Sequence, residues 1–83
     1  VAPQALMLYN GGFVMAQAKH LAARLEREAG TSPEAQVAHA YRLLLGRKPT
    51  AEEKESVAAF IAQHGLAQAC RVLLNLNEFV YPD

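Results

Sequence analysis

The densest run of chemically capable side chains is Tyr41-Arg42-Leu43-Leu44-Leu45-Gly46-Arg47-Lys48-Pro49-Thr50-Ala51-Glu52-Glu53. Three cations, a glycine and a proline come just before a pair of acids. Such a stretch suits three kinds of chemistry: gripping a phosphate, contacting DNA, or ending one helix and starting another. A Walker-type phosphate loop needs a second glycine directly before its lysine and a strand ahead of it. Here Lys48 is followed by Pro49, and a helical pattern precedes Gly46. The spacing therefore rejects a phosphate loop.

Helix, short turn, helix is also the shape of a DNA-binding helix-turn-helix. The second helix would open with Glu52, Glu53 and Glu55 against a single Lys54. Acids in a first turn suit the helix dipole, but they repel DNA phosphates where a recognition helix meets base edges. Eight basic residues balance eight acidic ones, so the net charge is zero. Nucleic-acid and anionic-membrane binders usually carry a basic excess or a basic face. Nucleic acid is therefore not an expected partner.

The remaining reactive groups are scattered. His20, His39 and His64 fall on three separate predicted helices, without metal-ligand spacing. The Cys-x-x-Cys-His sequence of a covalent c-type haem is absent, which leaves Met7, Met15 and the histidines only as axial ligands to a haem held elsewhere. Ser32 and Ser56 lie in cap and helix contexts rather than on a strand-to-helix elbow. The single cysteine, Cys70, sits in an apolar helical pattern and reads as a buried, inert thiol. No catalytic, metal-binding or cofactor-binding residue is assigned on these grounds, and no cofactor is expected.

Stepping from these residues to the elements that carry them, 83 residues make one domain with a thin core. An apolar content of 52%, much of it alanine, excludes disorder and favours close-packed helices. Pro3–Tyr9 predicts a short helix that stops at Asn10-Gly11-Gly12. A second helix runs over Gly12–Ala29, with Val14, Ala18, Leu21, Ala22 and Leu25 on one stripe. Thr31-Ser32-Pro33-Glu34 is a start signal for a third, whose apolar face is Val37, Ala40, Tyr41 and Leu44, broadened by Leu43 and Leu45. Thr50-Ala51-Glu52-Glu53 fits a capping box for a fourth, with Val57, Phe60 and Ile61 facing inward and an end at His64-Gly65. The fifth covers Leu66–Glu78, with Leu66, Ala69, Cys70, Leu73, Leu76, Asn77 and Val80 on its stripe. Strand-like alternation is absent and the connections are short. The expected fold is all-α, a compact antiparallel bundle of four to five short helices. No apolar run reaches the roughly 18 residues that span a bilayer. The chain begins at Val1 rather than methionine, so it is expected to be a fragment or processed form, and the absence of a visible signal peptide therefore says nothing of where the parent protein lives.

Three sets of residues occur here in the order seen in a known family: Pro3-Gln4-Ala5-Leu6 with Asn10 and Phe13-Val14; Ala40-Tyr41-Arg42 with Leu45-Gly46-Arg47-Lys48-Pro49-Thr50 and Glu53; and Leu73-Leu74-Asn75 with Asn77-Glu78-Phe79-Val80-Tyr81. In these the chain resembles the C-terminal part of a planctomycete-type domain of unknown function. Asn10-Gly11-Gly12-Phe13 carries more glycine than is usual there. The resemblance implies a large exported bacterial parent with several domains. It implies partners within that parent, a c-type cytochrome domain among them, and a periplasmic or external location. It carries no catalytic residues onto this chain.

Beside the resemblance, the motif residues have a physical reading of their own. A residue before proline avoids the α region, so Lys48 forces the preceding helix to stop near Gly46. Arg47 then emerges from the turn, where it can pair with Glu53 or Glu78 and cap the carbonyls ending that helix. Asn77, at a helix end, is expected to bond backbone. Phe79 and Tyr81 are expected to pack the tail onto the bundle. Gly46, Arg47, Pro49, Thr50, Glu53, Asn77, Glu78 and Phe79 thus form the expected structural motif. The function expected is that of a non-catalytic helical module with a structural or protein-interaction role. The alternatives are a piece of an enzyme or electron-transfer protein whose active site lies mostly outside it and, third, nucleic-acid binding.

Overall fold

In the computed structural model, residues 11–76 are described. They form four helices: α1 (Gly12–Ala29), α2 (Pro33–Leu45), α3 (Ala51–His64) and α4 (Leu66–Leu74). Among the described residues there is no strand, and the all-α bundle is the fold expected. The predicted Pro3–Tyr9 helix lies outside the described residues. Each helix packs on its neighbour in sequence, and α4 closes the ring against α1.

The boundaries follow from local chemistry. Ser32 caps α2, its hydroxyl accepting from the Ala35 backbone N–H at 3.4 Å, with Pro33 in the first turn where its missing N–H costs nothing. The α2 helix stops at Gly46, whose left-handed backbone (φ 70°, ψ 21°) suits glycine and whose N–H returns to the Arg42 carbonyl. Thr50 caps α3 through the capping box. Gly65 alone separates α3 from α4.

The core is built largely from small residues. Ala18, Ala22 and Leu25 of α1 meet Val37, Ala40 and Tyr41 of α2, Ala58 of α3, and Cys70 and Leu73 of α4. Alanine at the contact points lets the backbones approach closely, so a thin core still excludes water. Leu21, Leu43, Leu44 and Leu45 are half-buried and pack around it.

Two expectations are corrected. Val57 and Ile61 of α3 pack against the core as expected, around the buried Ala58. Phe60, however, is only half-buried and lies against the His64 ring, with centroids 4.6 Å apart. The last helix ends at Leu74 and does not continue to Glu78, because Asn75 terminates it. The Asn75 backbone N–H reaches carbonyls one turn back, and its side-chain Nδ2 donates to the Arg71 carbonyl at 2.8 Å. Asn75 is itself buried, so this bond satisfies a polar group that would otherwise be costly inside the fold. Asn75 thus makes a side-chain-to-backbone bond at the helix end. Asn77, Glu78, Phe79 and Tyr81 lie outside the described residues.

Candidate functional site

The structure brings Gly46, Arg47, Pro49 and Thr50 of the turn between α2 and α3 together with Glu53 in the first turn of α3. Gly46 redirects the chain, and Arg47 leaves the turn beside the start of α3. Its guanidinium meets Glu53 through two parallel bonds, Nη1 to Oε1 at 2.9 Å and Nη2 to Oε2 at 3.1 Å. Nη1 also donates to the Lys48 carbonyl at 3.1 Å, so the carbonyl it reaches is in the turn itself. The same guanidinium lies over the ring of buried Tyr41, 5.3 Å from its centroid. One face of the cation therefore rests on an aromatic ring while its edge is occupied by a carboxylate.

Glu53 has a second duty. Its Oε1 accepts the Thr50 backbone N–H at 2.8 Å, and its own N–H donates to the Thr50 hydroxyl at 3.0 Å. One carboxylate thus serves the helix cap and the arginine together. Those bonds, the Arg47 pair first and the Thr50 backbone second, pull the Glu53 carboxyl down to about 2. Arg47 and Glu53 keep 39% and 32% of their side-chain exposure, so solvent still screens the pair.

The other end of α2 is fastened differently. Gln36 is buried, and its Nε2 donates to the Gly30 carbonyl at 2.7 Å, tying α2 to the end of α1. The His39 Nε2 meets Glu28 Oε1 at 2.6 Å, and Arg24 donates to the same carboxylate from one turn back. The His39 bond, then the Arg24 bond, lower the Glu28 carboxyl below its usual value. On the far side of the ring, Arg42 Nη2 approaches His39 Nδ1 at 3.4 Å. The Gln36–Gly30 and His39–Glu28 contacts join residues six and eleven positions apart, across a turn. The sequence carried one signal for Gln36, its place on the Val37–Ala40 stripe. It carried none for the Glu28–His39 pair.

Between α2, α3 and their turn lies an open groove of about 500 Å³. Ala29, Ala35, Ala38 and Pro49 give it apolar lining, and His39, Arg42, Lys48 and Lys54 give it polar lining. Arg47 is not in that lining, because its donors are turned into the joint.

The remaining candidates stay apart. His20, His39 and His64 sit on α1, α2 and α3. Among the described residues no group of three or more His, Cys, Asp or Glu side chains is placed to hold a metal. Cys70 is fully buried, and desolvation pushes its thiol up to about 12, which makes it a poor nucleophile. No described helix is long and apolar enough to cross a membrane.

No curated protein and no solved structure matches the chain. Residues 1–61 match the family described as PSD1, protein of unknown function (DUF1553), and that span contains the whole joint from Tyr41 to Glu53. The chain belongs to this PSD1 family.

Proposed function

We propose that this chain is a non-catalytic helical module of an exported, multidomain bacterial protein, with a structural and protein-contact role inside that parent. The observation that carries the reading is the joint. Arg47, Glu53 and Thr50, the most reactive-looking set in the sequence, spend their donors and acceptors on one another and on the turn. A guanidinium bound on its edge and covered on its face is placed to hold two helices, not to meet a substrate. Phe13 supports the contact role: it stands 76% exposed at the start of α1. A large aromatic in water is a common anchor for a partner.

A second reading, a piece of an enzyme or electron-transfer protein, is favoured by one observation. His39 lines a groove and is oriented by Glu28, as a proton-transfer histidine would be. The two readings separate in one experiment. The rest of the parent polypeptide is produced without this segment, and the 83-residue chain is added back in trans. A module should bind at one-to-one stoichiometry and raise the melting temperature of the remainder, and His39→Ala should leave any activity of the reassembled protein intact. A remainder that melts unchanged, or an activity abolished by His39→Ala, contradicts the proposal.

A further inference from the structure

We infer that the groove between α2, α3 and their turn binds an acidic peptide segment of a partner domain, with Arg42, Lys48 and Lys54 holding its carboxylates. This rests on the contact role proposed above and specifies where that contact is made and with what.

Charge carries the inference first. The chain as a whole is neutral, yet the groove lining holds three permanent cations and no acid. They come from three places: Arg42 from α2, Lys48 from the turn and Lys54 from α3. Of the nearby acids, Glu53 is engaged by Arg47 and Glu28 by His39 and Arg24, while Glu52 and Glu55 lie outside the lining. Among the described residues neither Lys48 nor Lys54 has an ion-pair partner. An uncompensated set of like charges around a concave surface focuses a positive potential into it.

Positioning carries it second. Glu28 accepts from His39 Nε2–H, which assigns Nδ1 as the acceptor for Arg42 Nη2. The relay steadies the guanidinium with one of its five N–H groups and leaves the others for a ligand.

Shape selects the ligand. A volume of about 500 Å³ lies in the range of clefts that hold organic ligands, and it exceeds what a single phosphate fills. The alanine and proline lining suits the methylene stem of a glutamate while the cations meet its head. A nucleic-acid backbone fits less well. Glu52 and Glu55 stand exposed on the first turns of α3, and a polyanion running past the groove would meet them.

The test is fluorescence anisotropy of a labelled alternating Glu-Ala peptide titrated with the 83-residue chain at low and physiological salt. Three charge-matched variants are compared: Lys48→Gln, Lys54→Gln and, on α1 away from the groove, Lys19→Gln. The expected result is saturable binding that weakens with salt. Lys48→Gln and Lys54→Gln should each weaken it by about two- to fivefold, and Lys19→Gln should leave it unchanged. Circular dichroism of each variant checks that the helices are intact. The inference is overturned by any of three outcomes: no saturable binding, equal weakening by Lys19→Gln, or displacement of the peptide by mixed-sequence duplex DNA or inorganic phosphate at lower concentration than by unlabelled peptide. Such a failure leaves the in-trans melting experiment untouched, so it would refute this surface without refuting the contact role.

Discussion

The two ends of α2 are fastened by opposite means. At its C-terminal end a charged clasp, Arg47 with Glu53, is partly open to solvent and built from residues within one short turn. At its N-terminal end a neutral clasp joins the buried Gln36 amide to the carbonyl of exposed Gly30, and a histidine–carboxylate pair lies beside it. The difference teaches where stability resides. An exposed ion pair contributes little because water competes for both partners. A bond from a buried amide matters more, because the Gln36 side chain has no water to replace a lost acceptor. The conspicuous clasp should therefore set geometry, and the inconspicuous one should carry more of the free energy.

Glycine substitution exposes the contrast most strongly. Gly30 has φ 81° and ψ −151°, a region that side chains other than hydrogen enter only with strain, whereas Gly46 lies in the left-handed region that asparagine tolerates. Neither position has an atom within 4 Å of an added Cβ, so the difference is purely conformational. Gly30→Asn should cost roughly 1–3 kcal/mol in urea unfolding and Gly46→Asn under about 1. Equal costs would break the comparison. Gln36→Ala follows, with an expected loss of roughly 1–3 kcal/mol from the lost bond and the vacated volume, read from the same titration. Thr50→Ala removes one cap bond and should cost about 1 kcal/mol.

Acid sharpens the comparison further. Glu53 is held at about 2, and Glu28 is also lowered. A carboxylate whose folded value is depressed stabilises the fold fully above its unfolded value, near 4.3, and loses that contribution as pH falls toward the folded value. Melting temperature should therefore fall between about pH 4.5 and pH 2, and Glu53→Gln should flatten that fall while lowering stability at neutral pH. An unchanged acid profile in Glu53→Gln would show that the clasp contributes nothing.

Legibility in the sequence followed the range of each interaction. Gly46, Pro49, Thr50 and Glu53 were readable because helix stops and capping boxes are local, written within a few residues of one another. Arg47 was readable only as far as its choice of partner, since pairing geometry is set once the turn is folded. The helices appeared through their stripes, and the one expected from about Gly12 to Ala29 is found over that span. Asn75 was missed because termination was assigned to the next asparagine on the stripe. Gln36 was missed because its partner, the Gly30 carbonyl, lies across a turn that only the folded chain brings close. The groove and the Glu28–His39 bond depend on how α1 and α3 meet α2, which no local pattern encodes.

Tyr41–Glu53 is a joint between helices, and Arg47 is its pin. Thermal melting of Arg47→Ala beside Lys54→Ala tests it most directly, since both remove one positive charge from the same region. Arg47→Ala should lower the midpoint, because it strips Glu53 of its bidentate partner and Tyr41 of its cation. Lys54→Ala, which breaks no bond to the joint, should leave the midpoint in place. Equal, unchanged midpoints would contradict the claim.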